Sequence, residues 1–136
     1  MSFTTTMGIS AAGLSAQSQR LRVIAENLAN ADSTAQTPGG DPYRRKVVTF
    51  RSALDQTLGA QTVRVAAVKP SGGNFERRFD PGHPGADADG YVLMPNVNPL
   101  VEVMDMREAQ RSYSANLAVI DAAKAMIGKT LDLLHG

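Results

Sequence analysis

The sequence predicts an α+β fold in which long N- and C-terminal helices pair as a coiled-coil-like bundle, with a small irregular β-containing segment between them. Three observations carry this expectation. Met7, Leu14, Leu21 and Leu28 recur every seven residues. Met106, Tyr113, Ile120, Ile127 and Leu134 repeat the spacing near the other end, with Val103, Leu117 and Leu131 at a second seam position interrupted by Gln110 and Lys124. A spacing of seven keeps an apolar seam on one side of a slightly under-wound helix, where it buries itself against another helix. The stretch between the helices is too rich in Gly and Pro for long elements. The expected organisation is a terminal helical domain of residues 1–34 with 98–136, and a middle β/loop segment of 35–97.

The first helix is expected from Thr4 to about Asp32, with Thr4, Thr5 or Thr6 as the capping oxygen. Small residues line the face beside its leucines: Ser10, Ala11, Gly13, Ser18 and Ala25. Gly8 and Gly13 each weaken an isolated helix by about 1 kcal/mol relative to Ala. Such a helix is poor alone and good when packed. Residues 33–42 read as a loop dense in Thr, Gly and Pro. Tyr43–Phe50 and Thr62–Lys69 have strand composition, with a short helix or turn over Arg51–Leu58. A turn follows at Pro70–Gly73, and the next segment, to Phe79, puts Phe75, Arg77 and Phe79 on one face. Asp80–Gly90 reads as irregular and mobile, Tyr91–Met94 as a short strand, and Pro95–Pro99 as a turn. The final helix is expected from about Leu100 to Leu134, roughly 50 Å long against roughly 40 Å for the first. Rods of that length exceed what a small globular core needs.

At 136 residues the chain is one domain by length, and 43% apolar residues can support a core. Aromatics at 5% and the absence of Trp argue against a dense one. A net charge of +1 gives no global field that favours nucleic acid or an anionic membrane. Without cysteine there is no disulfide framework, thiolate metal site or cysteine nucleophile. No stretch is apolar enough to span a bilayer, and Met1–Gln19 lacks the basic start of a cleavable secretory signal.

Catalytic and cofactor readings find little support, and neither a catalytic residue nor a cofactor is expected. His83 stands in a Gly/Pro loop and His135 is the penultimate residue, so neither has the fixed surroundings that acid–base chemistry needs. Asp80, His83, Asp87 and Asp89 raise the question of a metal. Gly85 and Asn96, however, stand where an EF-hand-like loop would carry its first acid and its bidentate Glu, so a solvated surface without metal is expected. The basic groups Arg44, Arg45, Lys46 and Arg77, Arg78 each suggest a polyanion patch in isolation. At net charge +1 they fit a partner's acidic surface or plain solvation, and their best functional use is charge complementarity between neighbouring subunits. Asn27 and Asn30 are expected to cap or turn the end of the first helix.

Motifs add a resemblance. The run Glu26–Thr34, with Asn27, Leu28, Ala29 and Asn30 at its head, resembles the signature of the flagellar basal-body rod protein family. Pro42-Tyr43-Arg44-Arg45 with Val47, Val48 and Phe50 is similar to the stretch that comes after that signature in the family. Met94-Pro95-Asn96-Val97-Asn98 and Arg111-Ser112-Tyr113-Ser114-Ala115-Asn116 are similar to its proximal-rod C members, as is the inserted Ala35–Asp41. The family motif residues carried over are Asn27, Leu28, Ala29, Asn30, Tyr113 and Asn116. The resemblance implies a structural subunit of the periplasmic rod, exported without a cleavable signal by the flagellar type III apparatus. It also implies partners among copies of itself and other rod subunits in a helical hetero-oligomer, a hollow shaft that transmits torque. Leu14, Leu21, Leu28, Leu117, Ile120, Ile127 and Leu131 are the residues expected at subunit interfaces. The competing reading is a small helical-hairpin adaptor or chaperone module; an enzyme is not expected.

Overall fold

The computed structural model describes residues 2–136. Its elements are α1 (Phe3–Ala29), β1 (Lys46–Asp55), β2 (Ala60–Pro70), β3 (Glu76–Phe79), β4 (Tyr91–Met94) and α2 (Pro99–His135). This is the α+β arrangement that the heptads and the broken middle predict. The cap of α1 differs from expectation. Ser2 Oγ accepts from Thr5 N at 3.1 Å, so the serine, one turn before the last of the candidate threonines, closes the helix start. At the other end, Asn30 Nδ2 donates to the Glu26 carbonyl at 2.9 Å, and Asn30 Oδ1 accepts from Ser33 Oγ at 2.9 Å. Those bonds stop α1 at Ala29, short of Asp32. Helix α2 begins with Asn98 Oδ1 accepting from Leu100 N at 3.0 Å, and Pro99 takes the first helical position, where a missing N–H costs nothing. With 27 and 37 residues, the helices are roughly 40 and 55 Å long.

The middle is more regular than expected. β1 continues through the stretch read as a short helix or turn and ends only at Asp55. There the Asp55 side chain builds the turn itself, its Oδ1 accepting from Thr57 N at 3.0 Å and Leu58 N at 3.2 Å. Gly59, at φ 65°, supplies the left-handed step and returns its N–H to the Asp55 carbonyl at 2.8 Å. β1 and β2 form one two-stranded sheet, and β3 and β4 another. β3 and β4 are antiparallel, with Arg77 opposite Leu93 and Phe79 opposite Tyr91.

The chain divides into two compact units. The first comprises the segment ending at Leu21, Thr49–Ala67 and Arg107–Gly136. Its buried residues are small: Ser10, Gly13, Ala16, Thr62, Ala109 and Ala123. The two glycines of α1 make room for neighbours. A Cβ on Gly8 would lie 2.6 Å from Leu58 Cδ1, and one on Gly13 would lie 2.7 Å from Asn116 Nδ2. The second unit comprises Arg22–Val48 and Val68–Met106. Its buried set includes Val23, Ile24 and Val92, and also the polar Asn27 and Glu102.

Candidate functional site

The second unit is organised around Asn27, which is 1% exposed. Its Oδ1 accepts from Lys46 N at 3.0 Å and Tyr43 Oη at 2.7 Å. Its Nδ2 donates to the Lys46 carbonyl at 2.9 Å and to Glu102 Oε2 at 3.3 Å. Two donors and two acceptor sites are all that an amide side chain has, so Asn27 is fully satisfied. The expected capping role therefore falls to Asn30 alone. Asn27 instead clamps α1 to the start of β1 and to the first turn of α2.

Glu102 is 0% exposed. Its Oε1 accepts from Arg45 Nε, and Arg45 Nη2 reaches Asp105 Oδ2 at 3.3 Å. A buried carboxylate is tolerable only when paired and hydrogen-bonded, and here both oxygens are engaged. Arg45 also donates its backbone N–H to Asn96 Oδ1 at 2.7 Å. At the edge of the cluster Lys46 Nζ meets Glu26 Oε1 at 2.6 Å; that hydrogen bond, and then the Glu26 charge, raise the Lys46 pKa above its ordinary value. Burial, and then Glu26, push the Tyr43 phenol up, so it stays a neutral donor to Asn27. Three motif pieces that are distant in sequence thus meet in one polar cluster. Sequence reasoning missed Glu102, because an acid in the first turn of a helix reads as a complement to the helix dipole.

The basic groups are largely used within the chain, contrary to their reading as charge offered to a neighbour. Arg44 lies 4.3 Å from the centre of the Phe75 ring and donates to the Ser71 and Gly73 carbonyls at 2.7 and 2.9 Å. Arg77 sits 4.3 Å from the Tyr91 ring centre and 3.4 Å from Asp87 Oδ2. Arg78 is exposed.

Asp80–Gly90, expected to be mobile, is tied along its length. Asp80 N donates to the Gly90 carbonyl at 2.9 Å, and Asp87 Oδ1 accepts from both Asp89 N and Tyr91 N at 2.9 Å. Those bonds hold the Asp87 carboxyl below its ordinary pKa, the Tyr91 N–H acting most strongly. Among the described residues no group of three or more His, Cys, Asp or Glu side chains is placed to hold a metal ion. No described helix is long and apolar enough to cross a membrane.

The residues expected at interfaces are distributed along both helices. Leu14, Leu21, Leu28, Ile120 and Ile127 are half-buried, while Leu117 and Leu131 are 43% and 49% exposed. Of the remaining motif residues, Ala29 is exposed and Tyr113 and Asn116 are half-buried, with Asn116 Nδ2 bonded to the Ser112 carbonyl at 3.0 Å. Within the first unit the helices run antiparallel, Gly13 against Asn116 and Arg20 Nη2 3.6 Å from Glu108 Oε2. Beyond Ile127, α2 continues to His135. This last stretch carries Leu131, Leu133 and Leu134, and the latter two are 83% and 76% exposed.

Comparison with known proteins agrees with the motifs. Residues 7–35 match the family model described as flagella basal body rod protein, and residues 88–133 match that of the flagellar basal body rod FlgEFG protein C-terminal region. The flagellar basal-body rod protein FlgC of Agrobacterium fabrum is 53% identical over 93% of this chain and 91% of its own length. FlgC of Salmonella typhimurium is 44% identical over 98% of both chains, and FlgC of Bacillus subtilis 36% identical over 94% and 95%. With identity at this level over nearly the whole length, the chain belongs to the FlgC family of flagellar basal-body rod proteins.

Proposed function

We propose that this chain is a structural subunit of the proximal rod of the flagellar basal body, and that its work is assembly rather than catalysis. Family membership supports the rod. The observation that supports assembly through the helices is the mismatch between their intrachain contacts and their apolar side chains. The fully buried helical positions of the first unit are small, Ser10, Gly13, Ala16, Ala109 and Ala123, while Leu117, Met126, Leu131, Leu133 and Leu134 are left exposed. Burying such side chains is worth about 1.5–3 kcal/mol each. Neighbouring subunits supply that burial, through Leu14, Leu21, Leu28, Leu117, Ile120, Ile127 and Leu131. Heterologous contacts that do not close grow a helical shaft, the form a torque-transmitting rod requires.

In this reading residues 1–34 and 98–136 form the rod core, and 35–97 the segment outside it. The partners are copies of this chain and other rod subunits in the periplasm, reached through the flagellar type III export apparatus. An adaptor built as a helical hairpin would remain a discrete monomer or dimer at every concentration, whereas the rod subunit associates without limit.

Leu117→Asp and Leu131→Asp separate assembly from folding. Both positions are substantially exposed in the free chain, so each variant should unfold within about 0.5 kcal/mol of the unmodified protein. In an assembled rod the same carboxylate would be buried unpaired at a cost of several kcal/mol. Loss of rod incorporation and of swimming with unchanged free-chain stability is the expected result. Normal swimming by both variants would contradict the proposal.

A further inference from the structure

His83 is the one histidine inside the fold, and its ring is engaged at both nitrogens. Nε2 lies 2.9 Å from Thr34 Oγ1, and Nδ1 accepts the N–H of Gly85 at 2.8 Å. Because a backbone N–H can only donate, Nδ1 must be bare, and the ring proton is on Nε2, pointing to the threonine hydroxyl. This neutral tautomer is the only ring state that makes both bonds. The ring joins two loops, 33–42 and 80–90. Gly85 is seated directly on the first of these, since a Cβ there would run into the Ala35 carbonyl oxygen. Backbone bonds from His83 N to the Asp80 carbonyl at 3.1 Å, and from Ala86 N to the His83 carbonyl at 3.0 Å, hold the ring's own turn in place.

We propose that His83 is a pH-operated latch that closes these two loops on each other when neutral and releases Gly85 when protonated. A proton on Nδ1 converts the acceptor into a donor facing another donor, so the Gly85 bond is lost while the Nε2–H to Thr34 bond survives. The sign follows directly: the latched form binds fewer protons, so latching is complete at high pH and declines as the pH falls. The charged groups on the two loops are Asp80, Asp87 and Asp89 on the ring's own and Asp41 on the other, with Asp32 just before it; β3 adds Glu76, Arg78 and Arg77, the last paired to Asp87. None of these groups restores an acceptor to Gly85 once Nδ1 is protonated. The consequence is a surface, built from the 33–42 and 80–90 loops, that is ordered while the ring is neutral and loosened once it is protonated.

The test is NMR on the full-length, isotope-labelled chain between about pH 8 and pH 5, the span over which histidine changes charge. At the upper end the ring nitrogens should report a bare Nδ1 and a protonated Nε2. On acidification the exchange rate of the Gly85 amide, corrected for its intrinsic pH dependence, should rise roughly fivefold to tenfold, the equivalent of one lost hydrogen bond. His83→Gln should remove this step, and His135→Gln should leave it intact. Thr34→Val, which keeps the ring, should retain the Gly85 step while loosening the 33–42 amides already at pH 8. Gly85 protection that is indifferent to pH would overturn the proposal. So would a proton on Nδ1 at pH 8, or the same step in His83→Gln.

Discussion

From Arg22 to Ala29, α1 is held by directional bonds: the amide of Asn27 alone reaches Lys46, Tyr43 and Glu102. From Phe3 to Leu21 the same helix is held by close approaches of small groups, with Ser10, Gly13 and Ala16 buried and Asn116 and Leu58 fitted over glycines. A polar cluster of the first kind is costly to leave half-made, because each orphaned buried group costs about 1–3 kcal/mol. It therefore specifies one geometry and needs nothing from outside. Small side chains of the second kind bury little apolar area and, at about 25 cal/mol per Å², return little free energy. One helix thus carries an end fixed by a complete polar cluster and an end whose intrachain packing buries little apolar area, as expected where stability is unevenly distributed along a chain.

The largest effect should come from breaking the end that the polar cluster fixes. Asn27→Ala orphans the Lys46 amide and one oxygen of the fully buried Glu102, and should cost about 3 kcal/mol in denaturant unfolding. Asn27→Asp keeps the acceptor bonds to Lys46 and Tyr43 but turns a carboxylate toward Glu102, and should cost at least as much. If both variants unfold like the unmodified chain, the clamp is not what holds this end.

A smaller effect separates the glycines. Gly128 lies in α2 with nothing within 4 Å of where an added Cβ would stand, so Gly128→Ala should raise helix content and stabilise by up to about 1 kcal/mol. Gly13→Ala gains the same propensity but must displace Asn116 from its bond to Ser112, so its net effect should be near zero. Equal stabilisation by both substitutions in thermal unfolding would show that the Gly13 contact is slack.

The smallest effect is local. Asp87 titrates below its ordinary 3.8 because the folded loop hydrogen-bonds the carboxylate, so its contribution is present above that value and lost as the pH falls through the lower folded one. Amide exchange at Tyr91 and Asp89 should stay slow until the pH drops below about 4 and then quicken. Asp87→Asn should abolish that acid dependence. A step at higher pH in these amides would belong to His83 instead.

The helices were legible in the sequence because periodicity and terminal chemistry are local: the heptads, Asn98-Pro99 at the start of α2 and Asn30 at the end of α1 each act within a turn. The inner face was not. Heptad leucines mark a seam, yet the buried helical positions of the first unit are occupied by Ala, Ser and Gly, whose composition carries little periodic signal. Asn27 looked like a cap because its partners Lys46 and Glu102 are 19 and 75 residues away. The 80–90 loop looked mobile because Gly and Pro dominate it, although Asp87 two residues before Asp89 and four before Tyr91 has the spacing of a side chain that ties its own turn.

Site-resolved hydrogen exchange on dilute protein, shown to be monomeric by sedimentation, tests the unequal division of α1 most directly. The expected result is a step within that one helix: fast exchange from Thr4 to about Leu21 and beyond Ile127 in α2, and slow exchange from Val23 to Ala29 and at Lys46. Uniformly strong protection along α1 in a proven monomer would contradict it, and would make the helical pair a self-contained hairpin.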